Sequence, residues 1–154
     1  MWRPETAIRY TFQPNQPILR SPLTAADPYW QPLSPRPDGT RFSPNFPAYI
    51  SGHATFGAAH AAIMRNYFKT DNISFELTTE DPHGIRDHNG IRKTRRFTSF
   101  SGAALENARS RVYLGVHFQW DGDNGYLSGT QLADYLFKNW LTKVAAPAPV
   151  PTPA

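Results

Sequence analysis

The chain has 154 residues, 16 Lys and Arg against 12 Asp and Glu for a net charge of +4, and no cysteine. This length fits one domain, and zero Cys excludes a disulfide framework, a thiolate metal site and a cysteine nucleophile. No apolar run approaches the roughly 18 residues of a membrane helix, and Met1-Trp2-Arg3-Pro4 opens no apolar stretch. The sequence therefore shows no signal peptide and reads as a soluble chain of open compartment.

Ten of the 15 prolines lie in residues 1–50, four lie in the last ten residues, and only Pro82 lies between. Proline fixes φ and removes a donor, so residues 1–50 cannot hold a long helix or a central strand. They carry Trp2, Tyr10, Phe12, Tyr29, Trp30, Phe42 and Phe46, too much apolar surface to leave in water. Residues 1–50 therefore read as an ordered Pro-rich loop wrapped on a core. Residues 51–144 supply the regular structure. A first helix is expected over 54–68, with Ser51 before it as an N-cap and Phe56, His60, Ile63, Met64 and Tyr67 as its apolar stripe. Ile73–Thr79 and Arg95–Phe100 alternate apolar and polar residues and predict a β-hairpin whose long loop is 80–94. A second helix is expected over 102–113 on Leu105, Ala108 and Val112, and a third over 128–142 on Leu132, Tyr135, Leu136 and Trp140. Residues 145–154 read as a disordered Pro/Ala tail. Three such helices make a thin core, so a second copy of the chain or a missing N-terminal segment is expected to complete the bundle.

Two stretches carry chemistry. In Phe46-Pro47-Ala48-Tyr49-Ile50-Ser51-Gly52-His53, the last three residues stand at a helix start. Unpaired N–H groups and the positive end of the helix dipole collect there, which suits an oxyanion. That attraction is worth only about 0.3–2 kcal/mol, so charged donors are also needed. The second stretch, Ser110-Arg111-Val112-Tyr113-Leu114-Gly115-Val116-His117-Phe118-Gln119-Trp120-Asp121, offers Arg111, whose fork can bind two oxygens. Arg3, beside Pro4, is a second candidate. Other signals read as scaffold or solvent. His60 reads as a packed or half-exposed helix residue, and His83 and His88 as solvated loop residues. The cluster Arg86, Arg92, Lys93, Arg95 and Arg96 lacks interleaved aromatics to stack bases, so no nucleic-acid partner is expected. Asp121-Gly122-Asp123-Asn124-Gly125 fails as a calcium loop, because Tyr126 stands at the turn glycine and Leu132 at the bidentate glutamate.

These two stretches resemble the signature of the vanadium-dependent haloperoxidase and type 2 phosphatidic acid phosphatase superfamily: K-x6-R-P, then P-S-G-H, then S-R-x5-H-x3-D. Arg3-Pro4 matches the end of the first part. Ser51-Gly52-His53 matches the second, with Ile50 in place of proline. Ser110, Arg111, His117 and Asp121 match the third, in order and spacing. The wording around these residues is similar to bacterial haloperoxidase-like proteins, and the likeness spans about residues 2–142. It implies a mainly α fold: a partial helical bundle with a small β-hairpin insertion and a Pro-rich wrapping segment.

It also implies roles. His117 would be the axial ligand of vanadate, or the phosphorylated nucleophile in a phosphatase. Arg3, Arg111, Ser51 and Gly52 would hold the oxyanion. His53 would be the acid/base, Asp121 would support His117, and Phe46 would mark the halide side. The cofactor would be vanadate, or phosphate in the alternative. The partners would be hydrogen peroxide and halide, or a phosphoester. The family lysine would lie seven residues before Arg3, ahead of Met1. Residues 1–144 are therefore expected to be the C-terminal part of such a domain, and an inactive fragment is the third reading.

Overall fold

The computed structural model describes residues 2–10, 26–80, 84 and 86–140. Helix α1 is Pro4–Tyr10, α2 is Gly52–Phe68, α3 is Phe100–Tyr113 and α4 is Gln119–Asn139. Strands β1, Phe75–Thr78, and β2, Thr94–Phe97, form a two-stranded antiparallel sheet in which Phe75 pairs with Phe97 and Thr78 with Thr94. The fold is mainly helical with one small hairpin, as the sequence and the resemblance led one to expect. The tail at 145–154, residues 11–25 of the Pro-rich wrap and His83 lie outside the described residues. Among the described residues no helix is long and apolar enough to cross a membrane.

Local chemistry sets most of the boundaries. Pro4 opens α1 at the first helical position, where a missing N–H costs nothing. Ser51 caps α2 and is fully buried. At α3, Ser99 Oγ accepts from the Gly102 N–H at 3.1 Å, and Asp71 accepts from the Ser101 N–H at 3.0 Å and from its hydroxyl. Two caps therefore pull Phe100 out of the expected strand and make it the first helical residue. Its ring lies 5.7 Å from Phe75 and 6.0 Å from Phe68, which ties the hairpin to both helices.

The last helix begins nine residues before its expected start. Glycine and aspartate in 121–125 read as loop by propensity, but tertiary packing overrides that preference. Gly122, Gly125 and Gly129 are buried on the face that α4 turns to its neighbours. A Cβ on Gly129 would stand 2.1 Å from the Thr55 carbonyl oxygen, and one on Gly125 would stand 2.8 Å from that of Ser51. Helices α2 and α4 thus meet backbone to backbone.

This contact reverses the expected faces. Among the described residues the buried aliphatic side chains are alanines, at 48, 54, 58, 61, 62, 104, 108 and 133, together with Val116, and Pro32 is also fully buried. Of the stripes expected to form the core, Phe56, His60, Ile63 and Tyr67 on α2, Leu105 on α3, and Leu132, Tyr135, Leu136 and Trp140 at α4 are all exposed. Only Ala108 is buried as expected, with Met64 and Val112 partly so. Small side chains allow the closest helix approach, and the large ones are displaced outward.

Candidate oxyanion site

Each candidate residue sits where one element ends. Arg3 precedes α1, Phe46 and Pro47 precede α2, and Ser51 caps α2 with Gly52 and His53 in its first turn. Arg111 lies in the last turn of α3, His117 in the α3–α4 connection, and Asp121 in the first turn of α4. Hydrogen bonds gather these ends. Arg3 Nη1 donates to the Val116 carbonyl at 2.6 Å, its Nε to that of Phe46 at 3.0 Å and its Nη2 to that of Pro47 at 3.3 Å. The Arg3 guanidinium also lies 4.6 Å from the Phe46 ring centre. The Val116 and His117 N–H groups donate to the Arg111 carbonyl at 3.1 and 3.3 Å, and the Ser51 N–H donates to that of Asp121 at 3.0 Å.

The Pro-rich segment supports the His117 turn from outside. Gly115 has φ +72, and a Cβ there would stand 2.5 Å from the Trp30 ring. The Leu33 N–H donates to the Leu114 carbonyl at 2.9 Å, and Pro32 is buried. Arg9 Nε reaches the Trp30 carbonyl at 2.8 Å, joining α1 to the same segment. The turn therefore needs both a left-handed glycine and a flat aromatic laid against it.

His117 and Asp121 are both buried. Asp121 Oδ2 faces His117 Nδ1 at 3.2 Å and accepts from the Phe118 N–H at 3.0 Å. A carboxylate accepting from Nδ1 fixes the tautomer that leaves Nε2 with its lone pair available for a ligand. Burial pushes the His117 pKa down and the Asp121 hydrogen bond pulls it up. The charges of Arg3 and Arg111 push it further down, and the net shift is below the ordinary histidine value. His53, exposed at the start of α2, is also lowered, by desolvation first and then by Arg111 and His117. Both rings are therefore neutral near pH 7.

The two arginines make the site electropositive. Desolvation lowers the pKa of Arg111 and, together with the charge of Arg111, that of Arg3. Arg111 Nε is buried without a hydrogen-bond partner. A buried charged donor left unpaired is costly, and an anion accepting from it would remove that cost. Among the described residues no group of three His, Asp or Glu side chains could chelate a bare cation. The donor set fits a tetrahedral oxyanion.

The structure thus brings Arg3, Phe46, Ser51, Gly52, His53, Arg111, His117 and Asp121 into one region. Of the hairpin's basic cluster, three residues are paired with carboxylates: Arg92 with Glu80, Arg95 with Glu106 and Arg96 with Glu76. Two residues were not legible as part of the site. Asn107 Nδ2 donates to the His53 carbonyl at 2.7 Å, and Gly57 stands opposite that side chain. Their sequence signal is that both lie within the haloperoxidase-like wording, Gly57 one helical turn after His53 and Asn107 one turn before Arg111.

Residues 1–145 match the family model described as the VCPO second helical-bundle domain. The chain is similar to a vanadium chloroperoxidase of Curvularia inaequalis, 32% identical over 151 residues, which covers 78% of this chain and 23% of that protein. Among solved structures it is similar to a bacterial vanadium-dependent iodoperoxidase, with a TM-score of 0.59 at 31% identity over 77% of this chain and 25% of that one. It shares its fold with a holo-type bacterial vanadium-dependent chloroperoxidase, with a TM-score of 0.63 at 23% identity over 88% of this chain and 29% of the other. The chain thus spans about a quarter of the length of these relatives.

Proposed function

Because the chain belongs to the family of VCPO second helical-bundle domains, we propose that this vanadium haloperoxidase-like domain carries most of a vanadate site and serves peroxide-dependent oxidation of halide. The observation that carries the reading is the buried, unpartnered Arg111 Nε beside Arg3 and His117. When bound, vanadate would supply a Lewis acid that activates hydrogen peroxide toward halide.

The chain's own residues divide the remaining work. His117, oriented by Asp121 through Nδ1, would offer Nε2 to hold the vanadate. Arg3 and Arg111 would pair with its oxygens, and the Ser51 hydroxyl and Gly52 N–H would add hydrogen bonds. Arg3 already spends donors on three carbonyls, so it would supply field as much as direct contact. His53, neutral near pH 7 and open to solvent, would take a proton and return it. Phe46, held over Arg3, would form the apolar edge where halide approaches.

The test uses the full chain in folded form. Calorimetry with orthovanadate should show binding to the parent and none to His117→Ala; binding retained by the variant would refute the ligand role. Vanadate- and peroxide-dependent halogenation of a phenol would support the haloperoxidase reading. Phosphatase activity inhibited by vanadate would instead favour a phosphohistidine at His117. Neither activity in a folded sample would remove both enzyme readings for this chain on its own.

A further inference from the structure

The oxyanion reading needs groups from two helices to meet one ligand. Ser51, Gly52 and His53 come from the start of α2, and Arg111 comes from the end of α3. A misplacement of about 1 Å in such a constellation can cost on the order of 10²-fold, so something must fix the spacing of the two helix ends. One side chain spans the gap at that point. Asn107 Nδ2 donates to the His53 carbonyl at 2.7 Å, an oxygen that the helix itself already pairs with the N–H of Gly57. The Ser110 hydroxyl donates to the Asn107 carbonyl at 2.7 Å, binding this residue to the one beside Arg111.

A second feature serves the same contact. Helix α2 is rich in alanine, yet residue 57 is glycine, the poorest helix former after proline. A Cβ on Gly57 would stand 2.6 Å from Asn107 Nδ2 and 3.6 Å from its Cγ. The missing Cβ leaves the slot through which the amide reaches the His53 carbonyl. Helix propensity alone would favour alanine at this position, and the glycine is explained by the asparagine.

We propose that Asn107, seated in the slot left by Gly57, is a positioning residue that fixes the first turn of α2 against the Arg111 turn of α3. It thereby sets the geometry of the oxyanion site. The proposal deepens the oxyanion reading and rests on it for its consequence in binding.

The experiment compares the full chain with Asn107→Leu, Gly57→Ala, Asn107→Ala and the Gly57→Ala/Asn107→Ala pair. Orthovanadate and inorganic phosphate affinities are measured by calorimetry, and amide hydrogen exchange is followed along α2. Asn107→Leu keeps the volume and loses the donor, so its affinity should fall by about tenfold or more. Protection should drop at Thr55, Phe56 and Gly57 and stay unchanged at Ala61 and Ala62. Gly57→Ala should lose affinity by expelling the amide, and should add nothing once Asn107 is alanine, a non-additivity that marks direct coupling. A role confined to general stability would lower protection along the whole helix and leave the affinity of the folded protein intact. Affinity of Asn107→Leu within about two-fold of the parent would overturn the proposal. If Asn107→Leu does not fold, Gly57→Ala decides by the same two readouts. If the parent binds neither anion, the oxyanion reading fails, and the exchange data judge the positioning role separately. Loss limited to the first turn would uphold it, and unchanged protection would overturn it.

Discussion

Asp121 is the residue on which most of the site depends. One carboxylate oxygen holds both the His117 ring and the Phe118 N–H, while Oδ1 is buried without a partner. Asp121→Asn keeps the shape and removes the charge that supports the histidine. Vanadate affinity should fall about 10–100-fold, the usual loss when the partner of a ligating histidine is changed, and calorimetry checks it. The histidines also predict a pH dependence. Both have folded pKa values below the ordinary 6.5, so the unfolded chain binds more protons once the pH drops below that value. Their contribution to stability is complete above about 6.5 and is lost as the pH falls through their folded values. The denaturant midpoint of the parent should therefore fall from pH 7 to pH 5. His117→Gln should flatten that fall, and an unchanged slope would count against a neutral buried ring.

Among the elements, α2 and α4 decide whether the site exists, because their backbones touch at Gly125 and Gly129. Gly129→Ala is favoured by helix propensity by about 1 kcal/mol, but the new Cβ would meet the Thr55 carbonyl at 2.1 Å. Backbone on both sides cannot yield as a flexible side chain would, so the clash wins. A net loss of about 1–3 kcal/mol is expected, read as a lower midpoint in urea, and a rise in midpoint would contradict the close approach. The same helices show where sequence reading succeeds and fails. Ser51 as N-cap, the extent of α2 and the strands around 75–78 and 94–97 were legible, because capping and alternation are local signals. The start of α4 was not, because its glycines are chosen by contact with α2. The stripe on α2 had the right period and the wrong face: Phe56 and Tyr67 are the largest apolar residues, but Ala54, Ala58 and Ala62 are the buried ones.

For the whole molecule, this outward display is the main physical fact. Phe56, Tyr67, Leu127, Leu132, Tyr135 and Trp140 are all more than half exposed, while the core is alanine and one valine. Apolar faces of this kind are rare on a stable monomer and mark surfaces that pack against something else. The isolated chain should bind a hydrophobic dye and associate with rising concentration in sedimentation. A monodisperse monomer with no dye binding would refute that expectation. The matched part of this chain covers only about a quarter of each relative, and we propose that residues 1–144 act as one helical part of a larger bundle.

By itself the sequence determined the chemical inventory. Ser51-Gly52-His53 and Ser110-Arg111 through Asp121 named the candidate site residues, through their likeness in order and spacing to the haloperoxidase signature. It also determined the helical class and the hairpin, through periodicity and caps. Only the tertiary structure decided which helix faces turn inward, since burial depends on how closely two backbones approach and not on the size of the apolar stripe. It alone showed that Arg3, more than a hundred residues from His117, reaches the Val116 carbonyl. It alone revealed that Asn107 and Gly57 meet across two helices. Long-range contacts are set by packing geometry, and no local pattern in the chain encodes them.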